Sequence, residues 1–148
     1  MSPAVSFEGE HAVALESLAL RARGGQAPAW PVEIDRSRRP WQLRVTPALH
    51  ALLEASEAGV DAATLSARFH TTLAAGIIEV VCGLTEETGR IPVVLSGGCF
   101  QSAVLLRGVA EGLRAEGLEV LDHRRVPPND GGIALGQALA AAMRLERS

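Results

Sequence analysis

Ile91-Pro92-Val93-Val94-Leu95-Ser96-Gly97-Gly98 passes from a short, apolar, β-branched run directly into a serine and two glycines. A run this short and this uniformly apolar predicts a buried parallel strand rather than one with a wet face. The glycines predict a tight turn, and a helix follows from about Gln101 to Glu116 with Leu106, Val109 and Leu113 inward. Gly117 breaks that helix, and Leu118–Leu121 predicts the next strand. Asp122 to Asn129 reads as a loop containing Pro127-Pro128, and a small-residue helix over Ile133 to Leu145 closes the sequence. Strand, glycine turn, helix, strand, loop, helix is the order of an α/β domain.

Upstream, helical spacing dominates. Residues 9–23 predict a helix with Leu15, Leu18 and Ala22 inward and Gly24-Gly25 ending it. Residues 26–46 carry Pro28, Trp30, Pro31, Pro40 and Trp41 around the run Asp35-Arg36-Ser37-Arg38-Arg39. Pro31–Ile34 and Trp41–Val45 read as short strands held to an edge or loop by their prolines, with the arginines in a solvated turn. Pro47 opens a helix over 47–56 that is expected to bury Leu49, Leu52 and Leu53. Asp61 fits the N-cap of the longest helix, 62–88. Its apolar stripe is Leu65, Phe69, Leu73, Ile77, Val81 and Leu84, and Gly89 supplies a left-handed stop. The chain thus reads as a mainly helical segment, 1–90, and a strand-helix-strand-helix segment, 91–148.

Composition narrows the function. At 148 residues, 47% hydrophobic and 21% charged, the chain suits one globular domain rather than a disordered one. A net charge of −3 guarantees no basic face, so neither nucleic acid nor a membrane is expected as a partner. Cys82 and Cys99 match no CxxC or zinc-ribbon spacing, which favours a reduced, cytoplasmic setting. Met1-Ser2-Pro3-Ala4-Val5 lacks the basic and apolar regions of a signal peptide, and the mainly apolar stretches look too short and interrupted to span a bilayer. His11, His50, His70 and His123 stand in neither HxxxH nor HExxH spacing.

Two glycine-bearing bends are the places where chemistry can occur. Ser96-Gly97-Gly98 lets the backbone approach a bound group, and the next helix would offer unpaired N–H groups to an anion or nucleotide; a turn that merely needs positive φ reads equally well. In Asn129-Asp130-Gly131-Gly132, Asp130 either reaches a metal or phosphate or caps the last helix. Glu8, in Ser6-Phe7-Glu8-Gly9-Glu10, fits a partner for a helix dipole. His70 and Cys82 read as core side chains of the long helix, whereas Cys99, at a helix start, sits where a thiol pKa can fall.

Four segments in order carry a family resemblance. Val5-Ser6-Phe7-Glu8-Gly9-Glu10-His11-Ala12 with Leu15-Glu16-Ser17-Leu18-Ala19 is similar to the YEGQAA…LE-LA segment of HypF-type carbamoyltransferases. Ala67-Arg68-Phe69-His70-Thr71-Thr72-Leu73 resembles their RFHNTL, and Leu95-Ser96-Gly97-Gly98-Cys99-Phe100-Gln101-Ser102 their LSGGVFQN. Arg125 to Gln137 nearly reproduces VPPNDGGIxLGQ. The resemblance implies the second half of an actin/Hsp70-like (ASKHA) domain, helix-rich with a short, mostly parallel sheet. It implies that Ser96, Gly97, Gly98 and Gly131 contact ATP or carbamoyl-adenylate, that Asp130 binds a divalent metal, and that Glu8 lies at the ribose. The family's HxxxH metal histidines lie in an upstream half that this sequence lacks, and Cys99 and Ser102 replace its usual Val and Asn.

The implied activity is transfer of a carbamoyl group to the C-terminal cysteine of a HypE-like acceptor in [NiFe]-hydrogenase maturation, incomplete without the missing N-terminal half or a second copy of the chain. A non-catalytic binding or dimerisation module is the alternative, and a sugar O-carbamoyltransferase fragment ranks below both.

Overall fold

The computed structural model describes residue 7, residues 9–23 and residues 28–146. Glu8 and the expected stop at Gly24-Gly25 lie outside these. In chain order come α1 (Glu10–Ala19), β1 (Glu33–Asp35), β2 (Gln42–Arg44), α2 (Thr46–Glu57), α3 (Ala62–Thr88), β3 (Val93–Leu95), α4 (Ala103–Ala115), β4 (Val120–Asp122) and α5 (Ile133–Leu145). The outcome is a helix-rich α/β fold, but its strands form two separate pairs among the described residues. β1 and β2 make an antiparallel hairpin, and β3 and β4 a parallel pair with Val93 opposite Val120 and Leu95 opposite Asp122.

The long helix α3 is the organising element, packing against α4, α1 and α2. The Asp61 side chain accepts from the Thr64 N–H at 3.0 Å and from the Thr64 hydroxyl at 2.6 Å, which satisfies a donor that the first turn cannot. Those two bonds hold the Asp61 carboxyl below the usual carboxylate range. At the far end Gly89 has the expected positive φ, 78°, although its ψ of 171° lies beyond the left-handed helical well. By length and composition alone α3 is long and apolar enough to cross a membrane, contrary to the sequence expectation. It packs against three other helices.

Several expected faces rotate. On α2, Leu49 and Leu53 are exposed, and the inward stripe is Ala48, Ala51, Leu52 and Ala55, one position from the expected set. Small side chains there let α2 approach α3 closely. On α3 itself the buried residues include Ser66, His70, Thr72, Ala74, Gly76 and Gly83, while the expected stripe from Leu65 to Val81 is half-buried and Leu84 is exposed. Contact on several sides puts small residues nearest the neighbouring elements. α4 seats against α3 through Gly108, where a Cβ would lie 3.3 Å from Ala74 Cβ. On α4, Val109 and Leu113 are fully buried as expected. They join Leu95, Leu105, Ala110, Leu118 and Val120 in the core.

The arginine run is more than a solvated turn. The guanidinium groups of Arg36 and Arg39 lie 5.0 and 4.9 Å from the Trp41 ring centroid, within cation–π range. Both also pair with acids on α3, Arg36 with Glu79 at 3.6 Å and Arg39 with Glu87. The 28–30 segment is tied down by buried Thr72, whose hydroxyl accepts from the Trp30 N–H at 2.9 Å and donates to the Arg68 carbonyl at 2.8 Å. Thr72→Val is expected to orphan that buried N–H and to cost roughly 1–3 kcal/mol in urea denaturation, with Thr72→Ser costing less.

Candidate functional site

β3 and β4 end side by side, with Leu95 opposite Asp122, so Ser96 and His123 leave the ladder together. The His123 Nε2 and Ser96 Oγ are 2.9 Å apart. Behind them the half-buried Asp122 faces Arg124 at 3.3 Å and Arg114 at 3.8 Å. Gly97 then adopts φ 104°, ψ 162°, a conformation reserved for glycine. Its N–H donates to the Pro128 carbonyl at 2.8 Å, which fastens the serine–glycine turn to the proline loop.

That bond brings the two bends together. Ser96, Gly97, Gly98, His123, Asp130 and Gly132 share the lining of one hollow of about 280 Å³. A Cβ on Gly97 or Gly98 would meet nothing within 4 Å, so both face open space that a ligand can enter. Gly132 is constrained instead: a Cβ there would lie 2.8 Å from the Pro127 carbonyl oxygen. Asp130 is exposed. The Asn129 side chain, not that of Asp130, caps the turn over Asp130–Gly132 by accepting the Gly131 N–H at 3.1 Å. The helix-cap reading of Asp130 therefore fails, because Gly132 stands at the N-cap of α5 and no side chain caps that helix.

Other expectations are corrected here. Two of the N–H groups at the start of the helix after the glycines are already engaged by side chains. The Leu105 N–H donates to Ser102 Oγ at 3.3 Å, and the Val104 N–H to Glu16 Oε1 at 3.0 Å. A short 3₁₀ turn over Gly98–Gln101 separates the glycines from α4. Gly131 does not belong to the hollow's lining, since its N–H is held by Asn129. Glu8 falls outside the described residues. His123, Pro128 and Gly132 are residues that sequence reasoning missed. For His123 the available signal was its place one residue beyond a strand that pairs in parallel with the one ending at Leu95.

The remaining candidates are structural. His70 is buried, its Nδ1 2.8 Å from the Ser66 carbonyl oxygen. Burial pushes the Cys82 thiol above its ordinary value, helped by Glu116 and Glu86 and opposed by Arg90, whereas Cys99 is exposed. Mild alkylation with iodoacetamide is expected to label Cys99 at least about tenfold faster than Cys82, as read by peptide mass spectrometry.

Residues 1–137 match the family model described as "Carbamoyltransferase, Kae1-like Domain, second subdomain". The chain belongs to the HypF carbamoyltransferase family. It is 35% identical over 159 residues to carbamoyltransferase HypF2 of Cupriavidus necator, covering 95% of this chain and 20% of that protein. HypF of Rhodobacter capsulatus is 36% identical over 141 residues, covering 95% of this chain and 17% of its own length. A crystal structure of full-length HypF in the phosphate- and nucleotide-bound form superposes with a TM-score of 0.87 at 36% identity, covering 98% of this chain and 19% of that one. The chain thus spans about a fifth of the length of these HypF relatives.

A divalent metal is poorly provided for by this portion of a HypF protein alone. Asp130 brings one carboxylate to the hollow, and no group of three or more His, Cys, Asp or Glu side chains able to hold a metal occurs among the described residues. Hard cations take six or more oxygen ligands, so water, phosphate oxygens or residues outside the described ones have to supply the rest.

Proposed function

We propose that this chain supplies nucleotide-facing loops to a HypF-type carbamoyltransferase site, within an actin/Hsp70-like (ASKHA) domain whose remainder lies outside the described residues. The observation that carries this reading is the convergence of the Ser96–Gly98 turn and the Asp130 loop on one hollow, fastened by the bond from Gly97 to Pro128. The nucleotide in the related full-length HypF structure supports it. In this reading Ser96, Gly97 and Gly98 approach ATP and then carbamoyl-adenylate. Asp130 gives one ligand to a divalent metal near the phosphates, Glu8 lies toward the ribose, and Gly131 holds the loop rather than touching the ligand. The carbamoyl group passes to the C-terminal cysteine of a HypE-like acceptor, as hydrogenase maturation requires.

The surface supports incompleteness. None of the residues of α5 is buried, and Leu135, Leu139 and Met143 stand exposed at helical spacing. The parallel pair is covered on one face only: Leu95 and Val120 are buried, whereas Val94 is 61% and Leu121 46% exposed. Parallel strands are ordinarily covered on both faces. The occupant proposed for these faces is the upstream part of a HypF-type carbamoyltransferase, the part that its relatives possess and the described residues do not contain.

The chain alone is expected to show no carbamoyl-phosphate-dependent ATP–pyrophosphate exchange, and added upstream half to restore it. Exchange by the chain alone, or none after reconstitution, contradicts the reading. A self-associated species in light scattering that the upstream half fails to displace would favour a homodimer. The second reading, a non-catalytic binding module, draws on Ser102, which stands where the family has Asn and is engaged in capping α4. Millimolar MgATP is expected to raise the melting temperature, because a ligand that binds the folded chain stabilises it. Its failure to do so would favour the module.

A further inference from the structure

We propose that His123 is a positioning residue that sets which way the Ser96 hydroxyl points its proton, and thereby how tightly the hollow holds a nucleotide. This rests on the nucleotide reading above. The two side chains stand at the adjacent ends of β3 and β4, outside the ladder, with Nε2 2.9 Å from Oγ. Both residues are exposed, and both line the hollow that contains Gly97, Gly98 and Asp130. A hydrogen bond in so open a place contributes little to folding, so its presence at the mouth of the hollow calls for another account.

The chemistry of the two groups supplies one. A serine hydroxyl has one proton and two lone pairs, and a neutral imidazole protonates one nitrogen and leaves the other as an acceptor. If Nε2 is bare, it takes the Ser96 proton, and Oγ turns only lone pairs toward the hollow. An anionic oxygen brought there meets repulsion. If Nε2 carries the proton, it donates to Oγ, and the Ser96 O–H is free to donate to a phosphate or ribose oxygen. His123 therefore decides whether Ser96 is a donor or an acceptor. The linkage is reciprocal: an oxygen anion in the hollow favours the form with Nε2 protonated. Asp122 and Arg124 flank His123 in the chain and pair with each other, Asp122 also with Arg114; Arg125 follows, and Asp130 lies on the facing loop. With Asp122 engaged by its two arginines, Ser96 is the hydrogen-bonding partner of the ring nitrogen.

The test is a titration of the 148-residue chain with MgATP, read from the amide resonances of Gly98 and Cys99 and from the imidazole ¹⁵N shifts of His123. His123→Ala is expected to weaken binding about two- to threefold, because the hydroxyl it no longer orients can still donate, and Ser96→Ala about five- to tenfold, the effect of one hydrogen bond to a charged group. The double substitution is expected to weaken it no further than Ser96→Ala, since one residue acts through the other. His123→Gln keeps an N–H donor near Oγ and is expected to recover most of the affinity. Melting temperatures of all four variants should stay within about 2 °C of the parent, as for exposed sites. MgATP should shift the ring toward the form protonated at Nε2. Additive losses, an unchanged affinity in His123→Ala, or a bare Nε2 in the MgATP complex overturns the proposal while the nucleotide reading stands. If the unsubstituted chain gives no response to MgATP, both fall together.

Discussion

Replacing Gly97 with alanine is expected to abolish the rise in melting temperature that MgATP produces, with the ligand-free protein losing roughly 1–3 kcal/mol. The cause is conformational. At φ 104°, ψ 162° Gly97 occupies backbone space that side chains forbid, although a Cβ there would touch nothing within 4 Å. An alanine must rotate away, and the N–H that donates to the Pro128 carbonyl rotates with it. The serine–glycine turn then separates from the Asp130 loop, and the hollow loses one wall. Gly98→Ala is the control. Gly98 also has open space around its Cβ position and lacks positive φ, so its substitution leaves the fold intact. Differential scanning fluorimetry with and without millimolar MgATP reads both. A Gly97→Ala protein that still gains stability from MgATP would show that the bend has no part in binding.

Leu113→Ala is expected to remove roughly 2–5 kcal/mol, measured as a lowered urea midpoint at unchanged slope. Leu113 is fully buried on α4 beside Val109, where that helix meets α3 and the parallel strand pair. A chain of this size has on the order of 5–15 kcal/mol in all, so the loss is a large share. Leu139→Ala on α5 provides the contrast. It removes a side chain of the same size that is 61% exposed, and is expected to cost less than about 0.5 kcal/mol in the chain alone. The same substitution should weaken assembly with the upstream half by more than it weakens folding. Equal costs at the two positions would mean that α5 packs on the core in solution.

These two leucines show what kind of information the sequence carried. Leu113 stands among Glu111, Arg114 and Glu116 and reads as inward, whereas Leu139 has Ala138, Ala140 and Ala141 around it and little to mark which side is wet. The difference is whether another element lies over them. Val94 teaches the same lesson on a strand. Its β-branched, apolar neighbours predicted burial on both faces, yet it is 61% exposed because α3 and α4 cover only the other side.

What depended on neighbours along the chain was legible. Asp61 sits three residues before Thr64, and the cap formed as read. Gly89 ended α3, and the order of strand, turn, helix and strand followed from apolar runs and glycines. The family motifs were legible in the same way, as short ordered strings. The inner face of α2 was not, because helical spacing allows stripes at Leu49, Leu52 and Leu53 or at Ala48, Ala51, Leu52 and Ala55. Only the approach of α3 selects the second.

The sequence alone determined the helices, the order of the strands, the two glycine bends and the kinship to HypF, since each is set by residues within a few positions of one another. Tertiary structure alone decided that the bends share a hollow, that Glu16 occupies a donor at the start of α4 from 88 residues away, and that His123 meets Ser96 across 27. The physical reason is reach. A hydrogen bond acts over about 3 Å, and only the pairing of β3 with β4 and the packing of α1 and α4 on the shared helix α3 bring such distant residues within it.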